Sequence, residues 1–133
     1  MGVRQQFKMD KFGWNVTIYY TVGEDQKMEI FGELMKLECD KDTLDSIVRN
    51  LGKAKNDTGF TYSSFKHQRS IIVIHKASSI GEFINTFEHE KNHLEMHICE
   101  ALEINPYSEE AAHMSGYLAQ MILEKALCSI VEL

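Results

Sequence analysis

Two histidines four residues apart enclose a glutamate in the segment His89–Glu90–Lys91–Asn92–His93. On a helix, residues at positions i and i+4 lie on the same face, so both imidazoles can reach one metal ion. Glu90 projects beside that ion, where its carboxylate can hold a water molecule. These residue types at this spacing predict metal-assisted hydrolysis, with His89 and His93 as zinc ligands and Glu90 as the general base.

The segment that carries these residues is predicted to be a long helix ending near Glu103. Its start has the form of a capping box, Ser79–Ile80–Gly81–Glu82. At 100° per residue, one stripe of the helix is apolar and should form its core face: Ile80, Phe83, Phe87, Leu94, Ile98, Ala101 and Leu102. His89 and His93 lie about a third of a turn from that stripe, on a polar face that we expect to border a cleft.

A second long helix should follow the break at Asn105–Pro106 and run from Tyr107 or Glu109 to near Val131. Ala112 and Gly116 are small residues one turn apart on one of its faces. Small residues allow close approach of helices, so we expect this face to pack against its neighbour.

Together these two segments resemble the gluzincin type of zincin metallopeptidase, on the residues His89–Glu90–x–x–His93 and Glu109–Glu110–Ala111–Ala112. The chain looks most like the small phage- and bacterial-type forms, the ImmA/IrrE-like peptidases, whose second helix begins with Glu-x-x-Ala. The match covers about residues 80–120. The resemblance implies that Glu109 is the third zinc ligand, because Glu109 and Ala112 fit that signature and Glu110 does not.

The resemblance also implies a small mixed sheet ahead of the active-site helix and a peptide or protein substrate. That substrate would pair with the strand at residues 69–76, provided the strand has a free edge. Two imidazoles and one carboxylate are a common catalytic set for Zn²⁺, with water as the fourth ligand. His113 is the first candidate to stabilise the oxyanion and Tyr117 the second. The predicted function is therefore a zinc-dependent metallopeptidase or related hydrolase.

The charge of Lys91, where zincin motifs usually carry uncharged residues, favours an alternative function. Lys91 is expected to be held on the helix flank by Glu88 and Glu95. The alternative is a zincin-derived binding or regulatory protein of weak or no activity, whose metal is structural or absent. A third hypothesis is an interaction module in which the motif arises by chance.

Two other histidines are predicted to have supporting roles. His97 extends the row of His89 and His93 by one more turn, but one ion cannot easily take all three from a straight helix. His97 is therefore predicted to be a bystander or a support for the ligands. His75 shares a strand face with apolar residues and is expected to be a hydrogen-bonded core or rim histidine.

The first 76 residues are predicted to supply a small antiparallel or mixed sheet. Residues 14–22 alternate between apolar and polar, which indicates a strand, and residues 23–27 should form the turn after it. Residues 28–38 are predicted to be a second strand, with a short helix as the alternative. Residues 60–66 and 69–76 read as a hairpin, whose run Ile71–Ile74 should be central or covered by helices.

Two further segments complete this part of the chain. A helix is predicted over residues 40–51, with Asp40 or Asp42 as its cap and Gly52 just past its end. Residues 1–12 carry little pattern and are predicted to be loosely ordered.

The composition predicts one α+β domain over residues 1–133. A net charge of −6 argues against a nucleic-acid-binding surface. No stretch is long and apolar enough for a membrane span, so no membrane association is expected. Cys39, Cys99 and Cys128 have no framework spacing, which predicts reduced, packed thiols and a cytoplasmic location. The sequence leaves the oligomeric state open.

Overall fold

The computed structural model describes the backbone of residues 2–131 and the side chains of residues 2–127. Within these residues the chain forms four strands and four helices. In order, they are β1 (Val3–Met9), β2 (Trp14–Tyr20), α1 (Glu24–Lys36), α2 (Lys41–Lys53), β3 (Gly59–Ser64), β4 (Arg69–Ile74), α3 (Ile80–Leu102) and α4 (Glu109–Val131). The predicted α+β class is confirmed.

The four strands form one mixed sheet in the order β1–β2–β4–β3. The pairs β1–β2 and β3–β4 are antiparallel hairpins, and β2 and β4 lie side by side in parallel. Gly13 closes the turn of the first hairpin with a φ of 62°, in the left-handed region that favours glycine. The predicted hairpin of the third and fourth strands is confirmed.

Helices cover both faces of the sheet, because β2 and β4 are apolar on both faces. The register partners Ile18 and Ile72 belong to a core formed with α3 and α4. The next pair along, Tyr19 and Val73, belongs to a second core formed with α1 and α2. The prediction that Ile71–Ile74 is a central, covered strand is confirmed, and α3 is fixed against one face of the sheet.

The prediction that the N-terminal segment is loosely ordered is wrong. Residues 3–9 form β1, which pairs with the whole of β2. Alternate side chains of β1 are partly covered, and Gln5 donates through Nε2 to the carbonyl of Met121 in α4 at 2.9 Å. This inward position is polar, which weakens the alternation that would have revealed a strand.

The strand predicted over residues 28–38 is wrong, and the alternative of a helix is correct. The predicted turn at residues 23–27 is the start of the same helix, α1, where Gly23 N–H donates to Gln26 Oε1 at 3.1 Å. In α1, Ile30 and Leu34 face the core while apolar side chains also face outward. Apolar residues on both faces fit neither the helical nor the strand period.

Helix α2 begins where it was predicted to begin and ends two residues later than predicted, at Lys53. Asp40 caps it by accepting a hydrogen bond from Thr43 N at 3.0 Å. The helix runs past Gly52 to Lys53, and Ala54 ends it in the left-handed conformation with a φ of 42°. The prediction that Gly52 lies beyond the helix is wrong.

The two long helices have the predicted bounds. Ser79 caps α3 by accepting from Glu82 N at 3.1 Å, and Glu103 ends α3 with a φ of 57°. Helix α4 does not pack through Ala112 and Gly116, which are exposed. It buries the opposite face instead, made of Ala111, Met114, Leu118, Ile122 and Ala126. Larger apolar residues exclude more surface from water than the small ones, which decides the face.

No helix in the described part of the chain is both long and apolar enough to cross a membrane. Cys39 is half-buried, Cys99 is buried, and both are free thiols. Cys128 lies outside the described side chains.

Candidate functional site

His89 and His93 lie on the exposed side of α3, next to each other as their spacing predicts. Their Nε2 atoms are 3.2 Å apart, and their rings meet edge to face with centroids 4.8 Å apart. Two nitrogen ligands that each lie 2.0–2.1 Å from a tetrahedral ion are about 3.3 Å apart. The pair therefore has the separation that chelation of one metal ion requires.

The same separation is also a hydrogen-bond distance. One ring then carries its proton on Nε2 and donates to the unprotonated Nε2 of the other. Two doubly protonated rings cannot make this contact, because both nitrogens would be donors. Metal binding therefore requires Nε2 to be unprotonated in both rings, whereas the hydrogen bond requires this of the accepting ring only.

Glu109, the predicted third ligand, does not join the histidine pair. Its side chain is 92% exposed at the start of α4, with Oε2 3.7 Å from His113 Nε2. Glu110 does not replace it, since its Oε2 lies 3.9 Å from Lys11 Nζ on the β1–β2 turn. Among the described residues, no group of three or more His, Cys, Asp or Glu side chains could hold a metal ion.

The reason is the direction from which α4 approaches α3. Lys91 and Glu95 both contact Ser115 of α4. Each is two residues beyond a histidine of the pair, and two residues on a helix are about 200° apart. Helix α4 therefore lies on nearly the opposite side of α3 from His89 and His93. A carboxylate at its start cannot complete their coordination, and the predicted three-ligand zinc centre does not fit.

Glu90, the predicted general base, is buried between α3 and the sheet with 4% of its surface exposed. Thr61 on β3 donates its hydroxyl to Glu90 Oε1 at 2.8 Å, with the Glu90 carbonyl oxygen 3.2 Å away. Glu90 and His89 also line one polar cleft of about 240 Å³, together with Asp57, Thr58, Gly59, Asn85 and Thr86. The carboxylate is thus fixed by the fold, and Glu90 forms part of the wall of a cleft.

Lys91 has the predicted position on the helix flank, and it is also buried. Its Nζ lies 2.6 Å from Glu95 Oε1, 3.6 Å from Glu88 Oε2 and 2.9 Å from Ser115 Oγ. Ser115 in turn donates to Glu95 Oε1 at 2.9 Å. A buried lysine is tolerated when it is paired in this way. Lys91 therefore joins α3 to α4.

His97, which was predicted to be a bystander or a support for the ligands, faces the sheet. Its Nδ1 lies 2.6 Å from Ser63 Oγ, which is 2.6 Å from Ser70 Oγ. Trp14 donates to Ser70 Oγ at 2.9 Å and ends the chain of hydrogen bonds in the core. Burial, and then the neighbouring His93, lower the pKa of His97. The strand residues Thr61, Ser63 and Ser70 were not predicted as part of the site, although their alternation on β3 and β4 indicates that they face α3.

His113 and Tyr117, the oxyanion candidates, are on α4 and away from the pair. They line a separate cleft of about 320 Å³ with the β1–β2 turn, whose other walls are Met9, Asp10, Lys11, Phe12 and Met114. His113 is 78% exposed. A hydrogen-bond donor in that cleft cannot act on a group held at His89 and His93, so neither residue fits the predicted role.

The strand predicted to bind substrate has no free edge. β4 pairs with β2 on one side and with β3 on the other, so its backbone hydrogen bonds are used within the sheet. His75, just after β4, is buried as predicted, and its Nε2 is 2.7 Å from Asn50 Oδ1 in α2. Burial, and then Lys27, lower the pKa of His75.

Comparison with protein families, with curated proteins and with solved structures gives no match for this chain. The resemblance to zincin metallopeptidases therefore stays a prediction from two short segments.

Proposed function

We propose that this protein binds a divalent transition metal ion, with Zn²⁺ as the first candidate, through His89 and His93. The observation that carries the proposal is the 3.2 Å separation of the two Nε2 atoms on the exposed side of α3. Imidazole nitrogens are suitable ligands for Zn²⁺, Cu²⁺ and Ni²⁺. Two protein ligands leave the remaining coordination positions to water or to a donor group of a binding partner.

The proposed role is binding or regulation, and not hydrolysis. Glu90 is buried and engaged by the hydroxyl of Thr61. Lys91, the next residue, is an ion-paired link to α4. Glu109 belongs to the other side of α3. A general base must be within reach of the proton that it removes, and a catalytic zinc site holds its ion with three protein ligands. Neither condition is supported here.

Titration calorimetry with Zn²⁺ tests the proposal. We expect one binding event per chain for the natural protein, and its loss in the double variant His89→Ala/His93→Ala. His113→Ala is the matched control, because His113 is also an exposed helical histidine four residues from a possible partner. The control should bind as the natural protein does. Zinc binding of unchanged strength in the double variant would overturn the proposal.

A zinc-dependent metallopeptidase or related hydrolase is the second candidate function. One observation favours it, namely that His89 and Glu90 border the same polar cleft of about 240 Å³. Turnover on a peptide library decides between the two candidates. Hydrolysis by the natural protein that disappears in Glu90→Gln, while bound zinc is retained, would establish the enzyme. Our proposal expects no turnover from either protein.

A further inference from the structure

Helix α1 has an apolar outer face that is exposed among the described residues. Met28 is 73% exposed, Phe31 39% and Met35 54%, and the three side chains fall within about 60° of one another around the helix. Ile30 and Leu34 on the opposite side of α1 are fully buried against the sheet. One apolar face fixes α1 to its own domain, so the second needs another explanation.

Gly32 lies beside Met28 on this outer side, one turn along α1. A methyl group added at Gly32 would meet nothing within 4 Å, and its φ is not positive. Glycine is less favourable than alanine inside a helix, and the fold of this chain gives no reason for it here. A residue without a side chain is what close approach of another helix requires.

The charges beside the apolar face differ between its two ends. Glu24 and Asp25 are exposed in the first turn of α1, and Lys36 is exposed in the last. Two copies of α1 packed antiparallel would place the acidic end of each beside the basic end of the other. A register that sets Met28 against Gly32 of the second copy also sets Asp25 close to Lys36 of the second copy. The helix dipoles are opposed in the same arrangement, which is favourable.

From the apolar face, the glycine and the charges, we infer that two copies of this chain associate through the outer faces of α1 around a two-fold axis. Each copy contributes the same surface, as a closed dimer requires. Helix α1 has 13 residues and is about 20 Å long, so the contact is smaller than the roughly 800 Å² per partner of a standard interface. The dimer is therefore weak, and its population rises with protein concentration.

Sedimentation equilibrium over a concentration series is the first test. We expect a monomer–dimer equilibrium for the natural protein and monomer alone for Met28→Glu, which buries a charge at the contact. Circular dichroism of that variant checks that it is folded. A natural protein that stays monomeric up to its solubility limit would overturn the inference. A dimer that Met28→Glu leaves unchanged would do the same.

A pair of glycine variants separates the interface from the stability of the helix. Gly32→Ala and Gly116→Ala each add one methyl group to an exposed position of a helix with open space around it. Both should raise the thermal stability of the monomer. Only Gly32→Ala should weaken association, by at least several-fold. Equal association of the two variants contradicts the proposed packing.

Charge reversal tests the antiparallel register. Asp25→Lys and Lys36→Asp should each weaken the dimer, because each sets like charges together at both ends of the two-fold contact. The double variant restores opposite charges and should recover association. Failure of the double variant to recover would overturn the antiparallel arrangement. If the apolar face instead binds a different protein, the natural chain alone remains monomeric in every one of these experiments.

Discussion

The two sides of α3 use the same short motif in different ways. On the open side, His89 and His93 are exposed, and their Nε2 atoms lie 3.2 Å from each other. On the packed side, Glu90 is bound by Thr61 of β3 and Lys91 by Glu95 and Ser115. Residues that are adjacent in the motif therefore have different roles. The histidines are available to bind, while the residues between them hold the helix in place.

The spacing of a motif within one helix and the packing of that helix against its neighbours determine different features of a site. The i, i+4 spacing determines that the two imidazoles are close to each other, because it is a property of one helix. Whether a carboxylate from another helix joins them depends on which side of α3 that helix covers. Here α4 covers the side of Lys91 and Glu95, so Glu109 does not join the two histidines.

Removing the charge on the packed side should have the largest effect on stability. In the natural protein Lys91 Nζ lies 2.6 Å from Glu95 Oε1. Lys91→Met removes this cation and leaves the half-buried carboxylate of Glu95 without its closest partner. Loss of one partner of a buried ion pair costs about 3 kcal/mol. Urea denaturation of the metal-free protein measures this loss.

The matched control for Lys91→Met is Lys66→Met. Lys66 Nζ lies 2.8 Å from Glu38 Oε2, but both side chains are exposed. An exposed pair contributes less than about 1 kcal/mol. Equal effects of the two variants would show that Lys91 is not a structural link between α3 and α4.

The hydrogen bond that holds Glu90 should contribute less. Thr61→Val keeps the shape of the side chain and removes the hydroxyl that donates to Glu90 Oε1 at 2.8 Å. A buried acceptor left without its donor costs about 1–3 kcal/mol. Thr61→Ser keeps the hydroxyl and should recover most of the loss. A Thr61→Val protein as stable as the natural one would show that the hydrogen bond from Thr61 does not hold the Glu90 carboxylate.

The buried histidines His75 and His97 should make stability depend on pH. Burial lowers the pKa of His75 below its usual 6.5, so the unfolded chain takes up a proton at a higher pH than the folded one. The contribution of His75 to the free energy of unfolding is therefore fully present above pH 6.5 and is lost as the pH drops below this value. His97 acts in the same direction.

Urea denaturation at several pH values checks the role of His75. His75→Gln should reduce the dependence on pH below 6.5, because it removes the buried group whose pKa is lowered. A His75→Gln protein with the same pH dependence as the natural protein would contradict this role of His75.

Removing metal should change the fold least. The two cores on either side of the sheet contain no predicted ligand, so folding does not depend on the ion. Far-ultraviolet circular dichroism before and after a chelator should be the same, while the thermal midpoint falls by the contribution of ligand binding alone. Loss of helical signal on chelation would contradict this account.

Elements whose structure is decided by neighbouring residues could be predicted from the sequence, and those decided by contacts between distant residues could not. The pattern within α2, α3 and α4 was sufficient to place them, since periodicity and caps are local. Helix α1 was predicted as a strand because Met28, Phe31 and Met35 face outward, which hides its period. Strand β1 was missed because Gln5 takes an inward position whose partner, the carbonyl of Met121, is 116 residues away.

The candidate site shows the same limit. The contact between His89 and His93 follows from sequence alone. The burial of Glu90 depends on Thr61, and the separation of Glu109 depends on the contact of Ser115 with Lys91. These partners come from β3 and α4, so no motif on α3 specifies them.

The zinc affinity of Glu109→Ala tests the central claim most directly, because the claim is that the metal is held by the pair His89/His93 without a carboxylate from α4. Glu109 is 92% exposed and its substitution does not disturb packing. Titration calorimetry should give the same dissociation constant for Glu109→Ala as for the natural protein, within about twofold. A loss of about tenfold or more, the range expected when a metal site loses a supporting group, would contradict the account and return Glu109 to the site as a ligand.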